Sequence, residues 1–171
     1  MALSDSFDDY FIEPLGKHER TNFACGVEQL DIYLKNQARQ DARRRVAAPF
    51  VLIEKKSSAI AGYYTLSSTS IQFLELPIEI TKKLPKYPLV PATLLGRLAV
   101  DKNHRQKGLG EMLLMDALYR SLRSEIATIA VVVDAKDDAA RSFYEHYNFI
   151  CFPNLSHRLF LLMETIAKMF T

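Results

Sequence analysis

The segment Arg105-Gln106-Lys107-Gly108-Leu109-Gly110 carries residue types suited to holding an anion. It follows the apolar run Leu94–Val100, which Asp101-Lys102-Asn103-His104 interrupts. It precedes a stretch in which Met112, Leu113, Met115, Leu118 and Tyr119 recur at helical spacing, predicting an amphipathic helix over 110–124. Strand, glycine-bearing basic loop and helix start in that order make an anion cradle. Glycine lets the backbone come close to a ligand. The unpaired N–H groups at a helix start, with the positive end of its dipole, favour phosphate oxygens. Arg105 and Lys107 add charge at the same place. The segment lacks the Gly-Lys-Ser/Thr of a P-loop and the third glycine of a dinucleotide fingerprint. A tight strand–helix turn with surface basic residues would read the same way on these residues alone.

A second set of charges lies nearer the start of the chain. Lys35, Arg39 and Arg43 recur every four residues and share one helix face, and Arg44 and Arg45 widen the basic area. Lys82, Lys83 and Lys86 form another basic group. Each reads equally as a solvated face or as a phosphate-tracking surface. Arg97 is unexpected inside an apolar strand. It is either paired and lining a site, or edge-facing with its head in water. No carboxylate or histidine stands out as a base, and His18, His104, His146 and His157 read as surface residues. Cys25 and Cys151 are far apart, with no Cys-x-x-Cys partner, which argues against a metal site or a disulfide framework.

These residues need elements to position them. The 171 residues suffice for one domain with a real core, and a hydrophobic content of 49% with 25% charged residues places the chain among globular proteins. A net charge of +2 is too small to imply nucleic-acid binding unless the charges cluster. The opening residues 1–10 lack the basic start and apolar run of a signal peptide, and no apolar stretch reaches membrane-spanning length, so a soluble cytoplasmic protein is expected. Tyr10–Leu15 reads as a first strand. Val27, Leu30, Ile32, Tyr33, Leu34 and Ala38 give the apolar side of a long helix that runs to Arg45, before Pro49. Phe50–Glu54 and Ile60–Ser67 form a hairpin about Lys55–Ser58. A short helix fits around Ile78–Leu84 in a proline-punctuated stretch. Ala127–Val133 is a strand buried on both faces. Asp137 opens a short helix ending at Asn148, which tolerates a left-handed turn. Phe149–Phe152 and Leu159–Met163 close the sheet. The alternation of strands and helices gives a mixed α/β fold.

This order, with Arg-x-x-Gly-x-Gly after a strand, then Ala-x-x-Phe-Tyr-Glu and an aromatic-Asn-Phe turn, resembles the GNAT superfamily of acyl-CoA N-acyltransferases over essentially the whole chain. Phe23-Ala24-Cys25-Gly26-Val27-Glu28-Gln29-Leu30-Asp31, the long basic helix, Gly62-Tyr63-Tyr64-Thr65-Leu66, Leu95-Gly96-Arg97-Leu98-Ala99-Val100-Asp101 and Ser142-Phe143-Tyr144 resemble the GNAT toxins of bacterial toxin–antitoxin modules. The resemblance implies a single GNAT domain over residues 1–171, with a mixed, mostly antiparallel central sheet flanked by helices. It implies acetyl-CoA as donor, no metal, an aminoacyl-tRNA as acceptor, a ribbon-helix-helix antitoxin and a homodimer. The family often has asparagine at the position of Asp137 and glycine at that of Asn148.

The resemblance also implies roles. Leu98, Ala99 and Val100 would offer main-chain groups to the pantetheine arm, with the Val100 N–H polarising the thioester carbonyl. Arg105, Gln106, Lys107, Gly108, Leu109, Gly110 and Glu111 would hold the pyrophosphate, and Asp137 and Ser142 would complete the cofactor site. Tyr144 matches the general acid, its phenol near 10 against about 8.5 for a thiol. On spacing alone Tyr144 is also a candidate core aromatic, and its neighbour Phe143 is the better one. Lys35, Arg39, Arg43, Arg44 and Arg97 would meet tRNA. An α-amine, near 7.7–8.0, needs less help from a base than a lysine near 10.4. The alternatives are a GNAT enzyme for a small amine or a protein N-terminus, and a non-catalytic module that keeps the cofactor fold.

Overall fold

The computed structural model describes residues 7–171; of the acidic opening segment, residues 1–6 lie outside the described residues. In chain order the elements are β1 (Tyr10–Pro14), α1 (Glu28–Ile32), a π-turn (Tyr33–Gln37), α2 (Ala38–Arg43), β2 (Ala48–Glu54), β3 (Ile60–Gln72), α3 (Ile78–Thr81), β4 (Leu89–Val100), α4 (Leu109–Arg123), β5 (Ala130–Asp134), α5 (Asp138–His146), β6 (Ile150–Phe152), β7 (Leu155–Leu162) and α6 (Met163–Met169). The seven strands follow the order β1-β2-β3-β4-β5-β7-β6. β1 with β2, β2 with β3, β5 with β7 and β6 with β7 pair antiparallel, and β4 with β5 pairs parallel. This is the mixed, mostly antiparallel α/β fold expected. The chain gathers into two compact units, one comprising residues up to Ser67 with Gly96–Ala117, the other Ser68–Leu95 with Leu118–Thr171.

In the first unit, β1 and β3 flank β2, and the expected hairpin closes where Ser58 N–H donates to Glu54 O at 2.8 Å. Its core holds Phe23, Tyr33, Leu34, Val51, Tyr63 and Ala99. Tyr33 stacks on Tyr63 with ring centroids 6.2 Å apart, and Phe23 meets Tyr63 edge-on at 5.6 Å. The long helix expected over 27–45 is interrupted. Ala38 N–H bonds to Tyr33 O rather than to Leu34 O, giving the wider π-turn. Apolar spacing alone does not signal this: Tyr33, Leu34 and Ala38 are all buried, as an uninterrupted helix with that spacing would also lead one to expect.

The second unit has its own core of Ile71, Val90, Ala92, Val132, Phe152 and Phe160, the last two in edge contact at 5.0 Å. β5 is fully buried from Ala130 to Val133, as its β-branched composition predicts. Several boundaries differ from the sequence reading, among them the start of β5 at Ala130 rather than Ala127 and of β7 at Leu155 rather than Leu159. β4 starts at Leu89, ahead of the expected Leu94, and Pro91 within it accepts through its carbonyl from Ile129 N–H at 2.9 Å. α3 ends at Thr81, short of Leu84. The chain does not close on a strand: Met163–Met169 turns into α6, with Ile166 buried.

Gly62 marks the tightest approach in the first unit. A Cβ there would fall 2.8 Å from the Ala99 carbonyl oxygen and 2.9 Å from Leu113 Cδ1. The carbonyl is backbone and cannot step aside cheaply. Gly62→Val is therefore expected to lower the unfolding free energy by about 1–3 kcal/mol in denaturant melts, and a variant as stable as the wild type would contradict this packing.

Candidate active site

β4 ends at Val100, and the residue after it anchors the strand end. Buried Asp101 accepts at Oδ2 from Ala24 N–H (3.0 Å) and at Oδ1 from Asn103 N–H (2.9 Å), capping the short turn Lys102–His104. The Asp101 N–H itself donates to Ala61 O at 2.8 Å. The Asp101 N–H and the Ala99 carbonyl thus both face β3. Peptide groups alternate sides along a strand, so Leu98 and Val100 turn their main-chain groups to the opposite edge. Ala99, expected beside them at the cofactor, points its carbonyl at Gly62 and buries its methyl in the core. The ladder with β5 runs from Thr93 to Leu95 only, and β4 continues to Val100 beyond it.

Beyond the turn, Gln106 and Gly108 take φ of 63° and 74°. Gly108 adopts this left-handed conformation freely, whereas it costs a residue such as Gln106 about 1–2 kcal/mol. α4 then begins at Leu109, so the N–H groups of its first turn have no intrahelical partner. Leu109 is buried, leaving only its main chain for a ligand, while Lys107 is exposed. Gly110 and Glu111 lie in the first turn of the helix. A left-handed glycine, free helix-start N–H groups and an exposed lysine fit a pyrophosphate. Arg105 is partly occupied elsewhere: its Nη2 donates to Cys25 O at 2.6 Å. Gly26, at φ 93°, makes room for it, since a Cβ there would sit 2.7 Å from that nitrogen.

The basic residues of the helical run converge. Lys35, Arg39, Arg43 and Arg44 line one open pocket of about 340 Å³ together with Arg20, Asn36 and Gln40. Arg97 is not among them. Its guanidinium carbon lies 3.5 Å from the Tyr33 ring centroid, a cation–π contact that accounts for a charge in an apolar strand. The Tyr33 hydroxyl donates to Asp41 Oδ2 (2.9 Å), and Gln37 Nε2 donates to Asp41 Oδ1 (2.9 Å). Lys82, Lys83 and Lys86 belong to the second unit.

In that second unit, Tyr144 is the buried residue of α5, packed on Phe143 (5.2 Å) and Phe149 (5.3 Å). Phe143, expected to be the core aromatic, is only half-buried. The inward face of α5 centres on Tyr144, and Phe143 lies at its margin against Tyr147 (5.2 Å). Burial pushes the Tyr144 phenol above its ordinary value. Asp137 caps α5, accepting from Ala140 N–H at 2.8 Å, and Ser142 is exposed. Asn148 ends the segment at φ 72°, as expected. His146 is exposed, but the surface reading fails for His104, which is half-buried with Nδ1 3.0 Å from the Tyr10 hydroxyl. Among the described residues, no three His, Cys, Asp or Glu side chains gather as a metal site, and no helix is long and apolar enough to cross a membrane.

Comparison with known proteins places this geometry. Residues 89–158, from the start of β4 to β7, match the family model of the FR47-like protein, a GNAT-type domain. A tRNA-acetylating toxin of Mycobacterium tuberculosis is 34% identical over 146 residues, covering 84% of this chain and 86% of the relative. The chain belongs to the tRNA-acetylating toxin family. Two solved structures of related proteins share the fold. AtaT complexed with acetyl-methionyl-tRNAfMet is 27% identical with a TM-score of 0.87, covering 95% of this chain and 100% of that one. AtaTR bound with AcCoA is 26% identical with a TM-score of 0.82, covering 96% and 99%.

Within this member of the family, sequence reasoning passed over Arg20, Asp41 and the capping role of Asp101. Arg20 stands alone among polar residues, and its partner is a main-chain carbonyl, so no spacing announces it. Asp101 carried a weak signal, as an acid directly after a strand and two residues before an asparagine.

The buried phenols make a prediction. Burial first, and then the hydrogen bond to Asp41, raise Tyr33 from 10.0 to about 12; burial also raises Tyr63 and Tyr144. Folded phenols that keep their protons longer than unfolded ones contribute stability that is complete below about pH 10 and lost as pH climbs towards 12. Phenolate absorbance is expected to rise in two stages, the later one coinciding with alkaline unfolding. A folded protein in which all eight tyrosines ionise together near pH 10 would refute this.

Proposed function

We propose that this chain transfers the acetyl group of acetyl-CoA to the α-amine of an aminoacyl-tRNA and thereby blocks translation. The observation that carries the donor half is the left-handed Gly108 between the end of β4 and the free N–H groups of α4. The acceptor half is supported by family membership and by the cluster of arginines and lysine in one pocket.

In this reading bound acetyl-CoA supplies an activated thioester. The main-chain groups of Leu98 and Val100, turned away from β3, hold the pantetheine arm, and the Val100 N–H polarises the thioester carbonyl. The loop from Gln106 to Gly110 grips the pyrophosphate through main-chain N–H groups, with Lys107 adding charge. Asp137 and Ser142, at and near the start of α5, complete the donor site. Tyr144 gives its hydroxyl proton to the departing sulfur. Its raised phenol makes it a weaker acid than free tyrosine but keeps it loaded at every physiological pH, so its contribution comes from placement. The α-amine, near 7.7–8.0, is substantially neutral at physiological pH and attacks without a dedicated base; the C–S bond breaks as the C–N bond forms, and the proton the nitrogen then sheds restores the phenol that Tyr144 spent on the sulfur. The chain acts as one GNAT domain in the cytoplasm, as a homodimer restrained by a ribbon-helix-helix antitoxin. Light scattering that finds only monomer would remove the dimer.

The direct experiment supplies acetyl-CoA and charged total tRNA and identifies the acetylated adducts. Modification of free amines or protein N-termini alone would move the enzyme to another substrate class. Tyr144→Phe is expected to reduce transfer by about 10²–10⁴-fold while acetyl-CoA affinity by calorimetry stays put; wild-type turnover would assign the acid elsewhere. Changing Arg39, Arg43 and Arg44 together to glutamine is expected to weaken transfer and flatten its salt dependence by about one unit of slope per lost phosphate contact. Superimposable salt curves for wild type and triple variant would exclude this pocket as the tRNA footprint.

A further inference from the structure

The helical run ends on a residue type that its last turn does not favour. Arg45 N–H donates to Ala42 O at 3.2 Å and Val46 N–H to Asp41 O at 2.9 Å. That pair of bonds is the Schellman stop, in which the first residue past the cap turns left-handed and is usually glycine. Here Arg45 takes the position, at φ 60°. A side chain is strained in this conformation, so glycine would serve the turn better. Nor does the helix end need a third cation, since Arg43 and Arg44 already stand in its last turn and at its cap. Strain kept at an exposed arginine points to a use for the side chain.

Arg45 lines a second open pocket, again of about 340 Å³, whose other walls include Leu15, Ala48, Pro49, Phe50 and Leu66. The Phe50 ring lies flat against Tyr64, with centroids 5.1 Å apart. The two pockets adjoin along the chain: Arg43 and Arg44 line the basic one, Ala42 and Arg45 the apolar one. Consecutive Cα atoms are about 3.8 Å apart, so a ligand of nucleotide size reaches both. Among the described residues, no carboxylate lines either pocket, which suits an anion. A nucleotide joins a phosphate to a planar apolar face, and a guanidinium stacks on such a face. We propose that the apolar pocket takes an unpaired nucleobase from the single-stranded 3′ end of the tRNA, with the Arg45 guanidinium laid on its face. The inference rests on the reading of the basic pocket as a site for tRNA phosphates.

The test compares Arg45→Gly, Arg45→Lys and Ala48→Leu in the full chain. Three quantities are measured: melting temperature, acetylation of charged tRNA across a salt series, and quenching of 2-aminopurine placed in the unpaired 3′ end of the tRNA. Arg45→Gly relieves the left-handed strain, so it is expected to melt no lower than the wild type while KM for charged tRNA rises roughly tenfold. Arg45→Lys keeps the charge without the plane, so KM should rise several-fold with an unchanged salt slope. Ala48→Leu narrows the slot and should do the same. The quench seen with the wild type should shrink in all three. Wild-type KM in Arg45→Lys, with about one unit of slope lost in Arg45→Gly, would make Arg45 a phosphate ligand and overturn the stacking role. A glycine variant that melts several degrees lower would show the arginine kept for the fold, and would overturn the role too. Acetylation that proceeds while neither KM nor the quench responds to any variant would remove the base pocket and leave the proposed reaction standing. A quench that tracks the variants without transfer to tRNA would remove the reaction and leave the base pocket standing.

Discussion

One buried carboxylate sets the end of β4. Asp101 satisfies the Ala24 and Asn103 N–H groups with its two oxygens while its own N–H closes on β3. A carboxylate that accepts main-chain donors is worth more than a neutral acceptor, and losing it would leave those donors unpaired. Its position fixes three things at once: the last peptide of β4, the turn that aims the Gln106–Gly108 loop, and the attachment of residues 23–25 through the return bond from Lys102 N–H to Ala24 O at 2.8 Å. The direction in which Val100 presents its N–H depends on this anchoring.

A layer of aromatic rings supports the same strand. Phe23, Tyr63 and Tyr33 pack in succession, and Arg97 closes the stack with its guanidinium. Tyr63 donates to Leu30 O at 2.7 Å and Tyr33 to Asp41, so both phenols have polar partners as buried tyrosines require. This layer joins β4 to the helical run whose basic face forms the pocket. Strand and helix are thus held together by these side chains.

How much of this was legible depends on range. The strand end, the left-handed Gly108 and the helix start at Leu109 were, because they are close in sequence and each reports its own conformation. So were the cap at Asp137 and the left-handed Asn148. The π-turn was not, because its polar partners Arg20 and Asp41 are ones that apolar periodicity cannot weigh. Arg97 looked anomalous for the right reason, but its resolution on Tyr33 required the tertiary fold. The order of Phe143 and Tyr144 was misjudged, since adjacent helix positions divide one face and only the packing partners decide which points in. The last helix escaped notice because it is short, its start at Leu162 carries no capping side chain, and Met163 continues the apolar run of the strand before it.

The meeting of Arg105 with Cys25 and Gly26 behaves as a keyhole. The guanidinium enters where a side chain is missing and ends on a carbonyl from a segment 80 residues away in sequence. A side chain at Gly26 would have to expel Arg105, and a shorter residue at 105 would leave an unfilled slot and an unanswered carbonyl. Neither position can drift alone without loss. Because φ 93° strains any side chain at position 26 whatever stands at 105, the slot binds glycine to its place more firmly than it binds arginine to its own.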